Sequence, residues 1–338
     1  MPTSETSDSW ERAGRVPTMD GFRAIAIILV VLHHTSYTLG STALSNFFIF
    51  APHLGVDFSF VVSGFLITLL LLREKQRFGK ISLKQFYLRR SLRLLPALAV
   101  YLVAIFLLTL ITHARIPAID WATACTFMVC FKTHDVAWVL GHLWTASVEE
   151  HFYIVWPLLF YFFQPRRAML LAVGYLCATP LLRAFLFTSF GNQMDVDFAS
   201  PTQMSNIAVG CVAAYVAFTH GNRIRSILTP RRADGVMLCS VLGLIASLTM
   251  SRISWKYRIW LTDPTLAIFI AALLLLLPTV AKASSLPSPN PSRWWRSLLF
   301  RTASISGSNP SRIMKTIGSA GFPRISFSSL QPPLSPIG

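Results

Sequence analysis

Residues 21–37 read Gly-Phe-Arg-Ala-Ile-Ala-Ile-Ile-Leu-Val-Val-Leu-His-His-Thr-Ser-Tyr, an apolar run that contains Arg23, His33 and His34. Ionisable side chains are costly inside a membrane helix and mark functional sites there. Ten residues separate Arg23 from His34, so on a helix the two lie roughly 16 Å apart along the axis. Because the hydrocarbon core of a bilayer is about 30 Å thick, we predict that they lie toward opposite faces of the membrane.

The composition of the whole chain favours a membrane protein. Hydrophobic residues make up 53% of the 338 residues and charged residues 13%, whereas soluble domains carry about 25% charged residues. The formal charge of +16 is compatible with nucleic-acid binding, but Lys and Arg fall in short clusters between apolar runs. Membrane topology explains that pattern better, and we expect no nucleic-acid partner. The five cysteines lie in apolar stretches without metal-ligand spacing, which predicts buried, reduced thiols and no metal site.

The apolar runs predict an all-α fold, a polytopic bundle of about eight transmembrane helices. The predicted spans are 22–40, 54–72, 94–112, 148–163, 168–190, 203–219, 235–250 and 264–281. A weaker segment at 121–131 is too short to cross alone, so we expect it to be re-entrant or to lie against the other helices.

Three regions follow from these spans. Residues 1–19 are a polar N-terminal segment without the apolar region of a secretory signal, and residues 20–283 form the membrane domain. Residues 284–338 are rich in Ser, Pro and Arg and contain no Asp or Glu, which predicts a disordered tail.

Basic residues predict the orientation of the bundle. Positively charged loops lie on the cytoplasmic side, and the loop between the second and third spans has eight Lys and Arg residues: Arg73, Lys75, Arg77, Lys80, Lys84, Arg89, Arg90 and Arg93. This loop and the N-terminus are therefore predicted to be cytoplasmic, and the loop at 41–53 external. One loop departs from the rule, since Arg252, Lys256 and Arg258 are placed outside.

Four motifs occur in order along these spans. They are Asp20-Gly-Phe-Arg23 with His34, Gly55-Val-Asp-Phe-Ser-Phe-Val-Val-Ser-Gly-Phe-Leu-Ile67, Phe86-Tyr-Leu-Arg-Arg-Ser-Leu-Arg-Leu-Leu-Pro96, and His142-Leu-Trp-Thr-Ala-Ser-Val-Glu-Glu-His-Phe-Tyr-Ile-Val-Trp-Pro157. Together they resemble the acyltransferase 3 family of integral membrane O-acyltransferases, from about Asp20 to Leu277. The resemblance implies an enzyme of the bacterial inner membrane, surrounded by lipid. It would transfer an acyl group, commonly acetyl, from acetyl-CoA or another acyl-CoA to a hydroxyl of a glycan or small-molecule acceptor.

The resemblance designates His34 as the catalytic residue, through the family's pattern of Arg, ten residues and His. An unperturbed imidazole has a pKa of about 6.5 and can take a proton from a hydroxyl near neutral pH, and burial would favour its neutral, basic form. His33 points about 100° away on a helix. The alternative reading of His34 is a core histidine that is hydrogen-bonded to a neighbouring helix.

The donor site is predicted at Arg90 and Arg93, which lie three residues apart and therefore on one helical face. The resemblance assigns this motif to the acyl-CoA, and two guanidinium groups there would bind phosphates. Arg23 would be a positive wall near the entrance or a partner of an acidic residue. The alternative for Arg90 and Arg93 is simple anchoring on the cytoplasmic side, a role that Arg89 also fits.

Five further positions bear on the site. Glu149 would orient His34 or the acceptor hydroxyl, or else would be an acid at a helix N-terminus stabilised by the macrodipole. Asp57 would pair with Arg23 or take part in the chemistry. Ser63 and Gly64 are typical of close helix packing, and His151 stands where the family usually has Gln.

The C-terminal part departs from the family pattern. Family members continue past the eighth span into further helices, whereas this chain has Ser- and Pro-rich sequence there. This difference leaves open a catalytically inactive, truncated homologue. A small-solute transporter is a further alternative, although the internal repeats and paired broken helices that are common in transporters are not found in the sequence.

Overall fold

The computed structural model describes residues 17–36, 54–132, 136–190 and 199–276. The chain divides into two compact units, Met1–Ala281 and Lys282–Gly338, and every described residue belongs to the first. The predicted N-terminal segment up to residue 16, the external loop at 41–53 and the tail at 284–338 lie outside the described residues.

Within the described ranges all regular structure is helical, which confirms the all-α prediction. The α-helices are α1 (Pro17–Ser36), α2 (Leu54–Phe78), α3 (Leu83–Thr112), α4 (Ala118–Cys125), α5 (Trp138–Gly141), α6 (Leu143–Phe162), α7 (Pro165–Phe190), α8 (Ser200–Ile227), α9 (Pro230–Ile253), α10 (Trp255–Trp260) and α11 (Thr262–Leu275). A short 3₁₀-helix covers Val129–Phe131.

Each of the eight predicted spans overlaps one of these helices. Four helical segments of the described chain are long and apolar enough to cross a membrane, namely Leu54–Phe78, Leu83–Thr112, Pro165–Ser189 and Arg231–Ile253. Shorter apolar helices cover Gly21–Ser36 and Thr262–Leu275. The segment at 121–131 has only the eight-residue helix α4 and the 3₁₀ turn, too short to cross alone, as predicted.

Seven of the eight helices that match predicted spans begin earlier than predicted, and α3 does so by the most. The third span was expected from residue 94 and the fourth from residue 148, but α3 begins at Leu83 and α6 at Leu143. Hydropathy detects only the apolar part of a helix, whereas backbone hydrogen bonding continues through polar turns. Consequently Arg90 and Glu149 each lie about two turns inside their helices.

The centre of the bundle is α2, which packs closely against α8 and α1. A Cβ atom added at Gly64 would lie 1.9 Å from the backbone oxygen of Ile207, and one at Gly210 would lie 2.0 Å from that of Val61. The backbones of α2 and α8 therefore touch, which confirms the packing prediction for Gly64. Gly55 similarly brings α2 against Val30 of α1.

A buried polar network, which the sequence analysis missed except for Asp57, joins α2, α7, α8 and α11. The Nδ2 atom of Asn206 donates to Oδ1 of Asp57 at 2.7 Å, and Arg183, 1% exposed, pairs with Asp263. The Nε2 atom of Gln203 lies 3.4 Å from Oδ2 of Asp263. Asp57 thus has a structural partner on α8, and the network ties four helices together inside the bundle.

Candidate functional site

A first cavity of about 930 Å³ opens where α2 ends and α3 begins. We call it the basic cavity because six arginines and one lysine line it, with one glutamate: Arg23, Arg73, Arg77, Arg89, Arg90, Arg93, Lys80 and Glu74. Ser63 and Tyr153 complete its inner wall. Such a concentration of guanidinium groups suits a ligand with several phosphates.

A second cavity of about 1040 Å³ opens toward the end where α1 finishes and α6 begins. We call it the histidine cavity. Its lining combines ionisable groups with aromatic rings and includes His34, Lys132, His142, Glu149, Tyr101, Trp138 and Trp144. Arg23 and His34 stand on the same helix, yet each lines a different cavity. One helix therefore connects the two sites.

His34 has a defined ring orientation. Its Nδ1 atom lies 2.8 Å from the backbone oxygen of Val30, and a carbonyl oxygen can only accept, so Nδ1 donates the proton. In the neutral ring, Nε2 is then the unprotonated nitrogen that can act as a base. The side chain is exposed and the ring borders the open cavity, and its contact is with its own helix instead of a neighbouring one.

Glu149 borders the histidine cavity with His34, and its hydrogen-bond partner is Ser63 instead of His34. Its Oε1 atom accepts a hydrogen bond of 2.9 Å from Ser63 Oγ, while the contact that orients His34 comes from Val30. Because α6 begins at Leu143 and the macrodipole effect fades within the first turn, the alternative of an acid stabilised at the helix N-terminus does not fit.

Arg90 is held by acidic and aromatic neighbours on α6. Its Nε atom donates to Oε1 of Glu150 at 2.8 Å, and its Nη2 atom lies 4.0 Å from Oε2 of Glu149. The guanidinium carbon stands 3.2 Å from the ring centre of Tyr153, a cation–π contact. Arg90 is therefore half-buried and paired with α6, whereas Arg93 is exposed in the same cavity.

The segment between α3 and α6 folds over the histidine cavity around a buried acid that the sequence analysis missed. The carboxylate of Asp120 pairs with Lys132 and accepts a hydrogen bond of 2.8 Å from the backbone of Ala137. Burial raises the pKa of Asp120, but these hydrogen bonds outweigh it and hold the pKa below its usual range. Asp120 thus joins the two ends of the loop that reaches the cavity.

The cysteine prediction is only partly correct. All five thiols are free, but Cys125, Cys177 and Cys239 are exposed, whereas Cys130 and Cys211 are buried. The three exposed thiols lie on faces of apolar helices that do not pack against other described helices. The Sγ atom of Cys130 lies 3.5 Å from Nδ1 of His151, so the structure gives His151 a neighbour at the position where the family pattern differs.

Comparison with known proteins agrees with this architecture. A family model described as an acyltransferase domain matches residues 16–306. The chain is 27% identical over 303 residues to the peptidoglycan O-acetyltransferase OatA of Listeria monocytogenes. The aligned region covers 82% of this chain and 47% of that protein. The chain is 33% identical over 218 residues to the O-acetyltransferase OatA of Staphylococcus aureus, with coverages of 60% and 34%. The chain thus spans about half or less of these relatives, and no solved structure matches it.

Proposed function

The chain belongs to the acyltransferase 3 family, and we propose that it is an integral membrane O-acyltransferase that takes its acyl group, most simply acetyl, from an acyl-CoA. In this proposal the donor occupies the basic cavity and the acceptor hydroxyl enters the histidine cavity. The relatives named as O-acetyltransferases support an acetyl donor and a glycan acceptor of the cell envelope.

The charges of the basic cavity support the donor assignment. Coenzyme A has several phosphate groups, and arginine binds phosphate through paired hydrogen bonds. Arg93 is exposed and Arg23 half-buried in this cavity, so both can approach a bound nucleotide. Arg90 already binds Glu150, and we assign it to positioning the wall beside the donor.

The orientation follows from the same residues. The basic cavity lies beside the Arg- and Lys-rich turn between α2 and α3, which the positive-inside rule places in the cytoplasm. The N-terminus would then be cytoplasmic and the histidine cavity would face outward from a bacterial inner membrane. Labelling of a Lys80→Cys variant, with the native cysteines replaced, tests this: an impermeant reagent added outside intact cells should not modify it.

The observation that carries the proposal is that α1 exposes a cation to one cavity and a basic imidazole to the other. His34 Nε2 is free of the backbone contact that occupies Nδ1, so it can remove the proton of an acceptor hydroxyl as that hydroxyl attacks the acyl carbon. This arrangement would join a cytosolic donor to an external acceptor without moving the nucleotide across the membrane.

The experiment measures acetyl-CoA-dependent O-acetylation of cell-envelope glycans, together with release of the CoA thiol, by the purified protein in lipid nanodiscs. His34→Ala should lower transfer by about 10²–10⁴-fold while acetyl-CoA binding is retained. His33→Ala, one position away, is the matched control and should be much milder. Full activity of His34→Ala would reject this assignment, and solute uptake without thiol release would favour a transporter.

A further inference from the structure

One side-chain contact lies between the two cavities. Ser63 lines the basic cavity and Glu149 lines the histidine cavity, and the hydroxyl of Ser63 donates to Oε1 of Glu149 at 2.9 Å. Arg90 lies at the same point, with Nη2 4.0 Å from Oε2 of Glu149. The contact therefore lies on the wall that the two cavities share.

The position of Ser63 is fixed by its neighbour in the chain. Gly64 presses against the backbone of Ile207, so α2 cannot shift there without breaking its contact with α8. Ser63 is 9% exposed and meets a carboxylate rather than a packing partner. The sequence assigned Ser63 and Gly64 mainly to close helix packing. In the structure Gly64 makes the close backbone contact, whereas Ser63 places a hydroxyl at the cavity wall.

We propose that Ser63 carries the acyl group between the cavities as a covalent ester. This inference rests on the proposed function, and it assigns Ser63 as nucleophile and Glu149 as its base. A rotation about the Cα–Cβ bond of Ser63 moves the hydroxyl oxygen between staggered positions. The ester can then turn from the donor side toward the acceptor side while coenzyme A stays in the basic cavity.

The first half-reaction forms the ester. Ser63 Oγ attacks the thioester carbon, the carbon–sulfur bond breaks, and the Ser63 proton passes through Glu149 to the departing sulfur, so that coenzyme A leaves as a thiol. In the second half-reaction the acceptor hydroxyl attacks the ester and gives its proton to His34. The carbon–oxygen bond to Ser63 breaks, and the proton that His34 accepted passes to Glu149, which lines the same cavity, and from there to Ser63 Oγ. Overall, one thioester and one hydroxyl give one ester and one thiol.

The first half-reaction predicts an exchange that needs no acceptor. An acyl-enzyme allows labelled coenzyme A to enter the acetyl-CoA pool, which is the behaviour of a ping-pong enzyme, whereas direct attack of the acceptor on the thioester does not. The full chain in nanodiscs, incubated with acetyl-CoA and radiolabelled coenzyme A, should therefore show exchange. His34→Ala should still exchange, because His34 acts only in the second half-reaction.

Variants identify the carrier residue. Ser63→Ala should reduce exchange at least 10²-fold, about the loss expected when an essential group is removed. Ser147→Ala is the matched control and should exchange normally, because Ser147 is a buried serine of α6 that lines neither cavity and donates to the backbone oxygen of Leu143. Ser63→Cys tests whether the position itself matters, since it should trap the acetyl group as a thioester that neutral hydroxylamine releases.

The outcomes separate this inference from the proposed function. Acetyl-CoA binding with no exchange in the wild-type protein would overturn the ester and leave the donor site intact, whereas no acetyl-CoA binding would overturn the proposed function itself. Peptide mapping after acid quench should place the acetyl group on Ser63 in the His34→Ala variant. An acetyl group on His34 or Tyr153 in the wild-type protein, or full exchange in Ser63→Ala, would also overturn the inference.

Discussion

Helices α2 and α3 are both long enough to cross a membrane, but the chain holds them in different ways. In the most apolar part of α2, 72% of the residues are buried within the chain, and in that of α3 none are. The apolar surface of α2 meets other helices through glycine contacts. Helix α3 has no fully buried residue, and partly buried apolar side chains and hydrogen bonds from Tyr87, Arg90 and Tyr101 hold it.

The difference matters because the basic cavity lies between these two helices. In lipid, apolar side chains gain little by leaving the membrane for another helix, so helices associate through backbone fit or polar bonds. One wall of the cavity is therefore fixed by close backbone fit, and the other by partly buried side chains and a few hydrogen bonds. We expect substitutions in α2 to affect the whole fold and those in α3 to affect mainly the cavity.

The largest expected effect is at Gly64. Gly64→Ala places a carbon 1.9 Å from the Ile207 oxygen, and since that atom is backbone the helices must separate. We expect a loss of about 3 kcal/mol or more in the free energy of unfolding, seen as a lower unfolding temperature in detergent and loss of the monodisperse peak in size-exclusion chromatography. Gly174→Ala, where a Cβ meets no atom within 4 Å, is the control. If Gly64→Ala kept the unfolding temperature and chromatographic profile of wild type, close backbone fit would not be what holds α2 in the bundle.

The second effect concerns the segment that packs against the C-terminal half of α3. Asp120→Asn removes the charge that binds Lys132, and hydrogen bonds to charged groups contribute about 1.5–3 kcal/mol. The pKa of Asp120 is lowered in the folded protein, so its carboxylate stabilises the fold above the ordinary value of about 3.9. That stabilisation is lost as the pH falls through the lowered pKa.

Thermal unfolding should therefore separate wild type from Asp120→Asn at pH 7, and the difference should shrink below about pH 4, where the ordinary Asp pKa lies. Asp234→Asn, at an exposed position on α9, is the control and should unfold like wild type at both values. A difference that persists unchanged at low pH would show that the Asp120 charge is not what holds the segment.

The third effect is the coupling of Arg90 with Glu150 between α3 and α6. Both side chains are mostly buried, at 26% and 18% exposed, so solvent screens the pair only in part. In a double-mutant cycle of Arg90→Gln and Glu150→Gln we expect a coupling of about 1–2 kcal/mol. When Arg93→Gln replaces Arg90→Gln in the cycle, its change in the free energy of unfolding should simply add to that of Glu150→Gln. Equal coupling for Arg93 would indicate a diffuse charge effect instead of a specific contact.

The sequence predicted the helices well because apolar runs report directly on membrane spans. It also predicted that Arg23 and His34 lie at different depths, since both belong to one helix and their separation depends only on helical rise. Most helix starts were predicted a few residues too late, and that of α3 eleven residues too late, because polar turns such as 83–93 remain helical without any apolar signal.

The partners across helices could not be predicted. Arg90 and Glu150 are 60 residues apart in the chain, and Ser63 and Glu149 are 86 apart, so only the packing of α2, α3 and α6 determines that they meet. The Ser63–Gly64 pair shows the limit clearly. The small side chains of both residues predicted close packing. The rotation of α2 about its axis then determines that Gly64 faces a neighbouring backbone and Ser63 faces a cavity.

The smallest effect tests whether α3 is the looser wall. The hydroxyl of Tyr87 donates to the backbone oxygen of Ile154 at 2.8 Å, and loss of such a bond costs about 1 kcal/mol. Tyr87→Phe should therefore leave the fold intact but increase hydrogen exchange in residues 83–95, because local opening needs less free energy where few contacts hold a segment. Exchange in α2 should not change, and Tyr161→Phe, at an exposed position on α6, should alter neither helix. If Tyr87→Phe loosened α2 and α3 equally, the two walls would open as one unit, and the basic cavity could not admit its ligand by movement of α3 alone.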